Sequence, residues 1–517
     1  MNLFHTTGLN HTTVKISTFF ILLAFTSCKK SESLTIEKEN PGDLLTRDSV
    51  FSYAKEVYFW NEQLPSYEVF NPRSYSGLNQ ELFDISQYAI NPETQKPFEF
   101  NAQNPKAPKY SAITGPDNAA ENQAADGNLT VGFGVTFVAV KEGDIRIEYV
   151  ISGSPAAKTG LQRGMKVVKI NNNPVETKVL FYKYLNSLLS SSQIGITIEK
   201  SDLQPEKTFT LQRQQFTGDP VTKDTVFNYN GVKTGYLSYL KFSSPNGEDR
   251  QLNAVFNRFA DENITELIID LRYNPGGYIS TADYFANLII PYVFDKQVMR
   301  KEKYNSIMQN NRAGLLKNQI LTDDNGRPLY YIDNRPATMA DGDYSLNANT
   351  YYFDKTAGIK SLKRVVFIVS SETASASELL INCLKPYLDV KLVGVSNTGN
   401  QQVRTYGKPI GFFGLKISKH TVYYSMFQNL NARNEGNYFD GMTTDLSADD
   451  DARFNFGDTN EPGLKASLSL IFPSKFARQE SFRKEADINF NRVEIKADLP
   501  VPAGLIKERA HIKIKKF

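Results

Sequence analysis

Val365-Val-Phe-Ile-Val-Ser-Ser-Glu-Thr-Ala-Ser-Ala-Ser-Glu-Leu-Leu-Ile-Asn-Cys-Leu384 is the stretch on which the fold turns. Five consecutive apolar residues, 365–369, read as a buried strand, and 379–384 read as a helix with its apolar face inward. Between them lies a turn rich in hydroxyl side chains. A serine at a strand-to-helix turn faces the positive end of the helix, where free backbone N–H groups can hold an oxyanion. The same residues satisfy a plainer pattern. Ser375-Ala-Ser-Glu378 is a capping box, with Ser375 capping the helix and Glu378 reaching back. Taken alone, the segment does not separate a nucleophile from a cap.

Outward from that turn, the third part of the chain, about 221–472, alternates strands and helices. Lys233-Thr-Gly-Tyr-Leu-Ser-Tyr-Leu-Lys-Phe242 reads as a strand and Asp249–Asp261 as a helix. Leu267-Ile-Ile-Asp-Leu-Arg-Tyr-Asn-Pro-Gly-Gly277 is a buried strand running into a glycine turn, followed by a helix over 280–290. This order predicts a layered α/β core. Residues 301–354, rich in Asn, Asp and Gly, read as an insertion placed to cap the site. The tail from 473 to 517 is charged and carries no clear pattern.

Upstream, residues 127–213 read as a compact β-rich unit. It opens with Val131-Gly-Phe-Gly-Val-Thr-Phe137, continues through Ser154-Pro-Ala-Ala-Lys-Thr-Gly-Leu161 and Gly164-Met-Lys-Val-Val-Lys-Ile170, and closes with a helix over 178–189 and the strand 194–199. Residues 46–126 read as a helical region, mainly 44–90, followed by a linker or loose loop over 91–128. Residues 29–45 form a polar tether.

The bulk properties narrow the function. The 517 residues exceed one hydrophobic core, so several domains are expected. Charged residues make up 22% and the net charge is +3 with no basic block, which argues against a nucleic-acid partner. The four histidines and two cysteines are too few, and too badly placed, for a structural zinc site. With His5 and His11 in the leader, only His420 and His511 are left for a Ser–His–Asp triad. His420 sits in an alternating segment as an ordinary strand residue, and lysine becomes the candidate base.

Residues 16–25 are an apolar run too short to span a bilayer and suited to a signal peptide. Thr26-Ser27-Cys28 follows. Small residues before a cysteine resemble a bacterial lipoprotein signal, in which Cys28 is lipidated and residues 29 onward are tethered to the membrane by the lipid. The alternative is a plain secretory peptide. Once Cys28 is acylated, Cys383 stands alone and reads as a buried small hydrophobe.

Two resemblances join these readings. The order of residues 127–213 resembles a PDZ domain. That likeness implies that Gly132, Phe133, Gly134 and Val135 form the loop and strand that receive a peptide C-terminus. The whole arrangement resembles the C-terminal processing, or tail-specific, peptidases. Three motifs carry it: Asp270–Gly277, Ser375–Glu378 and Tyr406-Gly-Lys408. The resemblance implies a multidomain α/β protein with a helical N-terminal segment, a PDZ-like domain and a crotonase-like α/β peptidase core. It implies Ser375 as nucleophile, Lys408 as general base, and the N–H of Ala376 with one from Gly276 or Gly277 as oxyanion hole. No metal or cofactor is expected. The partners it implies are unfolded or partly folded protein C-termini, in the cell envelope of a Gram-negative bacterium.

One departure stands out. The family's usual spacing from the nucleophile lands on Asn400, whereas Thr405-Tyr-Gly-Lys-Pro-Ile-Gly411 comes later. Residues 397–404 then read as a short insertion before an intact motif. If Asn400 holds the base position instead, the chain is a catalytically silent peptide-binding lipoprotein. A carbohydrate-handling role is a third class, supported only by the 12% aromatic content and the 301–354 segment. A lysine base must also lose roughly three units from a free pKa of ~10.4, about 4 kcal/mol. Burial among Pro409, Ile410, Phe412 and Phe413 supplies a physical route.

Overall fold

In a computed structural model the described residues are 41–115, 129–176, 178–200, 206–244, 247–323, 326–396, 402–476, 494–495, 505–506 and 512–514. Cys28, the leader, most of the tether, His511 and Asn400 lie outside them.

The chain is a mixed α/β protein organised around a six-stranded sheet. Its order runs Val221–Tyr229, Val232–Tyr239, Glu266–Asp270, Arg364–Val369, Asp389–Ser396, Leu446–Asp449. The first pair is antiparallel and every later pair parallel. Parallel neighbours need crossovers, and the helices Arg250–Asp261, Ile279–Ile289 and Ala376–Leu384 lie in these connections. Side chains alternate across the sheet. Leu237, Ile269, Val365 and Phe367 face a large core with Phe256, Phe285 and Leu380. Tyr236, Ile268, Val366 and Ile368 face a second core with Leu464 and Leu468 of the helix Pro462–Ile471. Both faces are covered, which explains the unbroken apolar run at 365–369.

The N-terminal helix Pro41–Val57 shares the large core. Val50, Phe51, Ala54, Val57 and Tyr58 are buried there with Phe413 and Phe427. The expected linker does not hold for residues 91–115. Tyr110 is buried in the large core, Glu99 is fully buried, and Ala112–Thr114 pairs antiparallel with His420–Tyr423. The abundance of Asn and Pro there reflects tight turns with Asx-type contacts, such as Glu93 N–H to Asn91 Oδ1 and Gln103 N–H to Asn101 Oδ1.

Residues 301–354 are tied into the core at several points. Val298–Tyr304 pairs with Phe427–Asn431 and with Thr350–Tyr352, and Met308, Leu316, Met339 and Tyr344 are buried in the large core. Gln319 donates to the Tyr53 hydroxyl and the Lys416 carbonyl. The apolar residues spaced among the polar ones anchor this segment beside the N-terminal helix, where Tyr53 donates to the Leu315 carbonyl.

Residues 129–217 form a separate body with its own core, including Phe137, Ile145, Ile147, Leu185 and Ile196. Its main sheet runs Lys207–Gln212, Gln193–Ile198, Lys166–Ile170, Asp144–Val150, Val135–Lys141, and the helix Val179–Leu189 packs beside it. On the far side of Val135–Lys141 a strand from the tail, Glu494–Ile495, pairs antiparallel, Glu494 opposite Val138 and Ile495 opposite Phe137. Arg163 fastens this body to the core. It donates to Asp450, to the Tyr273 hydroxyl, and to the carbonyls of Glu148 and Phe454.

Candidate active site

Strand Arg364–Val369 delivers the chain to the turn 370–375, and helix Ala376–Leu384 leaves it. The turn is tightly held. Thr373 Oγ1 donates to the Leu271 carbonyl at 2.8 Å, and the Ala374 N–H to the Asn274 carbonyl at 3.2 Å. Ser377 Oγ donates to that same carbonyl at 3.1 Å. Asn274 in turn donates from Nδ2 to the Tyr239 carbonyl at 2.9 Å and accepts the Gly276 N–H on Oδ1 at 2.9 Å. The two turns, 270–277 and 370–378, are thereby laced together through one asparagine.

Ser375 does not have the backbone of an ordinary cap. An N-cap residue takes extended dihedrals and its side chain accepts an N–H. Ser375 has φ 63° and ψ −112°, a strained conformation for a non-glycine residue. It is fully buried, and its Oγ makes no hydrogen bond. The Glu378 half of the capping box is present, with Ser375 N–H donating to Glu378 Oε2 at 2.9 Å. The side chain that a cap would use is therefore left unengaged on a backbone held in place from several directions.

Gly276 approaches this serine so closely that only glycine fits. A Cβ there would lie 2.7 Å from Ser375 Cβ and 2.9 Å from Ala376 N, on a backbone with φ +106°. At Gly277, φ +140°, a Cβ would lie 1.9 Å from the Phe242 carbonyl oxygen. Of the two glycine amides considered from sequence, that of Gly276 is engaged by Asn274.

Lys408 is brought to the same place by Glu378. The carboxylate accepts the N–H of Gly407 on Oε1 at 2.7 Å and the N–H of Lys408 on Oε2 at 2.8 Å, and the Thr405 hydroxyl also donates to it. Tyr406 N–H donates to the Thr373 carbonyl at 2.9 Å. Gly407, φ +85°, permits the turn, since a Cβ there would strike the Phe439 carbonyl at 2.3 Å. Glu378 is fully buried, and burial raises its pKa above the ordinary carboxylate value against the opposing hydrogen bonds.

The Lys408 side chain is 4% exposed as a residue and lies over two rings, with Nζ 5.2 Å from the Phe412 centroid and 5.9 Å from that of Tyr110. Desolvation lowers its pKa to about 8, opposed by the carboxylates of Glu99 and Glu378 and aided by the Lys109 charge. Tyr110, whose hydroxyl donates to the Gly407 carbonyl at 2.6 Å, comes from the segment that sequence reading took for a linker. Lys109 Nζ donates to the Phe439 carbonyl at 2.7 Å.

A cavity of about 750 Å³ opens here, with Pro275, Ala374, Tyr406, Lys408 and Tyr110 in its wall. Residues 101–111 form much of its other side. Behind the turn, Arg272 is buried and pairs with Asp270, Asp450 and Glu461. Its carbonyl accepts the Ser370 hydroxyl, so the ion cluster braces the floor of the site. Among the described residues no group of three or more His, Cys, Asp or Glu side chains could hold a metal ion.

The segment with Gly132 to Val135 lies on the other body. Gly134 has φ +72°, and a Cβ there would lie 2.1 Å from Ser154 Cβ. Phe133 is buried, and its carbonyl accepts the Ala156 N–H at 3.0 Å. Val135 begins the strand that the tail pairs with.

Residues 233–431 match the model of Peptidase family S41. The carboxy-terminal processing protease CtpB of Bacillus subtilis is 25% identical over 34% of this chain and 37% of its own length. A CtpA-like serine protease named in Staphylococcus epidermidis is 23% identical over 64% of this chain and 56% of its own. The chain thus spans between about a third and just over half of the length of these curated relatives. A solved Bacteroides fragilis structure, named for the S41 proteases, shares the fold with a TM-score of 0.52 at 20% identity, covering 82% of this chain and 97% of that one. Residues 233–431 are therefore similar to Peptidase family S41, and the stretch includes Asp270–Gly277, Ser375–Glu378 and Tyr406-Gly-Lys408.

Proposed function

We propose that this chain is a serine-type endopeptidase of the cell envelope that captures protein C-termini and cleaves through a Ser375–Lys408 dyad. The observation that carries the reading is Ser375 itself, strained, buried and with its Oγ unengaged, beside a glycine turn and a desolvated lysine. Neutral Lys408 takes the Oγ proton as Ser375 Oγ bonds to the scissile carbonyl carbon. The N–H of Ala376 and one from the glycine turn, for which Gly277 is the candidate since Asn274 takes the Gly276 N–H, hold the oxyanion. The C–N bond then breaks, and the Lys408 ammonium gives its proton to the departing amine. Water attacks the ester, loses a proton to Lys408, and frees the carboxylic acid as Ser375 regains its own proton.

Residues 127–213 are read as a PDZ-like module beside a crotonase-like core. The turn at Gly132–Val135 would receive a terminal carboxylate, and the edge of Val135–Lys141 the peptide strand. Cys28 is read as the lipidated residue that tethers the protein to the membrane. No helix among the described residues is long and apolar enough to cross one.

The test uses purified mature protein and an unstructured protein substrate. Degradation by wild type, lost in both Ser375→Ala and Lys408→Ala, is the expected result. Activity retained in either variant overturns the dyad. Mass spectrometry of the protein from membranes should find an acylated Cys28 at the mature N-terminus; an unmodified one overturns the tether.

A further inference from the structure

Glu99 lies in the segment 91–111, far upstream of the residues that match the family model, and is fully buried. Its carboxylate is held by four hydrogen bonds. Oε2 accepts the N–H groups of Tyr110 at 3.1 Å and Ser111 at 2.8 Å. Oε1 accepts the hydroxyls of Ser111 and Ser425, each at 2.8 Å. Every one of these donors is neutral. A buried carboxylate ringed by neutral donors is costly to keep unless a cation stands near.

Lys408 is a nearby basic group on which the Glu99 charge acts, opposing the loss of its proton. The residue Glu99 binds through its backbone, Tyr110, places its ring 5.9 Å from Lys408 Nζ and its hydroxyl on the Gly407 carbonyl. The groups facing Lys408 are Glu99 and Tyr110 from segment 91–111, Lys109 from the same segment, Glu378 from the nucleophile helix, and Phe412 from the strand after the base. Glu378 also accepts three backbone N–H groups and a hydroxyl. The Glu99 carboxylate accepts from Tyr110, Ser111 and Ser425.

The geometry points to Glu99 as a positioning residue for the base. Its fixed charge favours the ammonium that Lys408 becomes while it holds the Ser375 proton, and Tyr110 carries the same anchor to the backbone of the base loop. The inference rests on the dyad reading. It assigns to the N-terminal segment a part in catalysis: that segment completes the electrostatics of a site whose nucleophile and base lie elsewhere in the chain. Without a nearby negative charge, a lysine in this apolar pocket would lose its proton more readily but hold the transferred one less well.

The substitution Glu99→Gln isolates the charge. The amide oxygen can take the two backbone N–H groups, and the amide nitrogen can donate to the two serine oxygens, so the hydrogen bonds are kept. The readout is the pH dependence of covalent labelling of Ser375 by a fluorophosphonate, with full-length mature protein. In Glu99→Gln the alkaline plateau rate should fall about tenfold and the acidic limb move down by about one pH unit. Glu99→Asp keeps the charge one methylene further back and should move the limb the same way by less. Ser425→Ala removes one bond to the carboxylate and keeps the charge, so it should lower the melting temperature and leave the limb in place. A limb unmoved in both Glu99 variants overturns the inference while the dyad stands. A wild-type protein that does not label at any pH overturns the dyad and this inference with it.

Discussion

Ser375 and Lys408 are tied to one oxygen: Glu378 Oε2 accepts the backbone N–H of the first at 2.9 Å and of the second at 2.8 Å. The backbones at Ser375 and Lys408 are thereby held by a shared acceptor, and neither loop can drift without stretching a bond to it. Glu378→Ala would leave the N–H groups of Ser375, Gly407 and Lys408 and the Thr405 hydroxyl without that partner in a dry interior. The expected cost is about 3–5 kcal/mol, read as a drop in the denaturation midpoint, together with loss of Ser375 labelling. A variant as stable and as reactive as wild type would remove Glu378 from this role.

The depressed pKa of Lys408, about 8 against 10.5 for the free group, fixes two pH dependences. Labelling of Ser375 should rise about tenfold per pH unit below 8 and level off above it, because only the neutral amine accepts a proton. Stability follows the opposite need. Between pH 8 and 10.5 the unfolded chain binds a proton that the folded one lacks, so the stability contributed by this group rises with pH through that window and is lowest below 8. Lys408→Met should therefore stabilise the protein at pH 7, by up to about 3 kcal/mol, and by little at pH 11. Denaturation of the two proteins at both pH values measures the difference.

Gly276→Ala should be the most damaging single methyl group near the site. The added Cβ meets Ser375 Cβ at 2.7 Å on a left-handed backbone, so the nucleophile turn must move. Loss of Ser375 labelling with a destabilisation of about 2 kcal/mol or more is expected. Normal labelling would show that the close approach of Gly276 does not hold the Ser375 turn in place.

Gly134→Ala tests the other body. Its Cβ would meet Ser154 Cβ at 2.1 Å, distorting the turn read as the carboxylate receptor. Binding of a fluorescent peptide with an apolar C-terminus should be lost while Ser375 still labels. Unchanged binding would take the peptide site away from this turn.

Much of the core was legible because its signals are local. Val365–Val369 is apolar without a break since helices cover both sheet faces, and the helix starting after Asp249 carries a side-chain cap, whereas Ser375 keeps only the Glu378 half of its capping box. Gly276 lies against Ser375, and Glu378 accepts the backbone N–H of both Ser375 and Lys408. Segment 91–115 was misread for a physical reason. Its order comes from long-range contacts, such as Glu99 to Ser425 and Tyr110 to Gly407, which leave no period in the sequence. The alternation in Tyr110-Ser-Ala-Ile-Thr114 was the one local hint of the strand found there. In 301–354, too, polar composition hid the few apolar anchors that bind the segment beside the N-terminal helix.

An edge of a β-sheet has room for one neighbour. Along Val135–Lys141 that seat is already filled at Phe137 and Val138 by the chain's own Ile495 and Glu494. On the reading given above, an incoming peptide meets an incumbent and must evict it, so the apparent affinity for any guest is its intrinsic affinity discounted by the hold of the resident. The same tail pairs Leu505 and Ile506 with Gly411 and Phe412, a few residues beyond Lys408. On that reading, a guest that displaces the strand at 494–495 frees one of two tail segments paired with the rest of the chain, the other lying along the strand that follows Lys408.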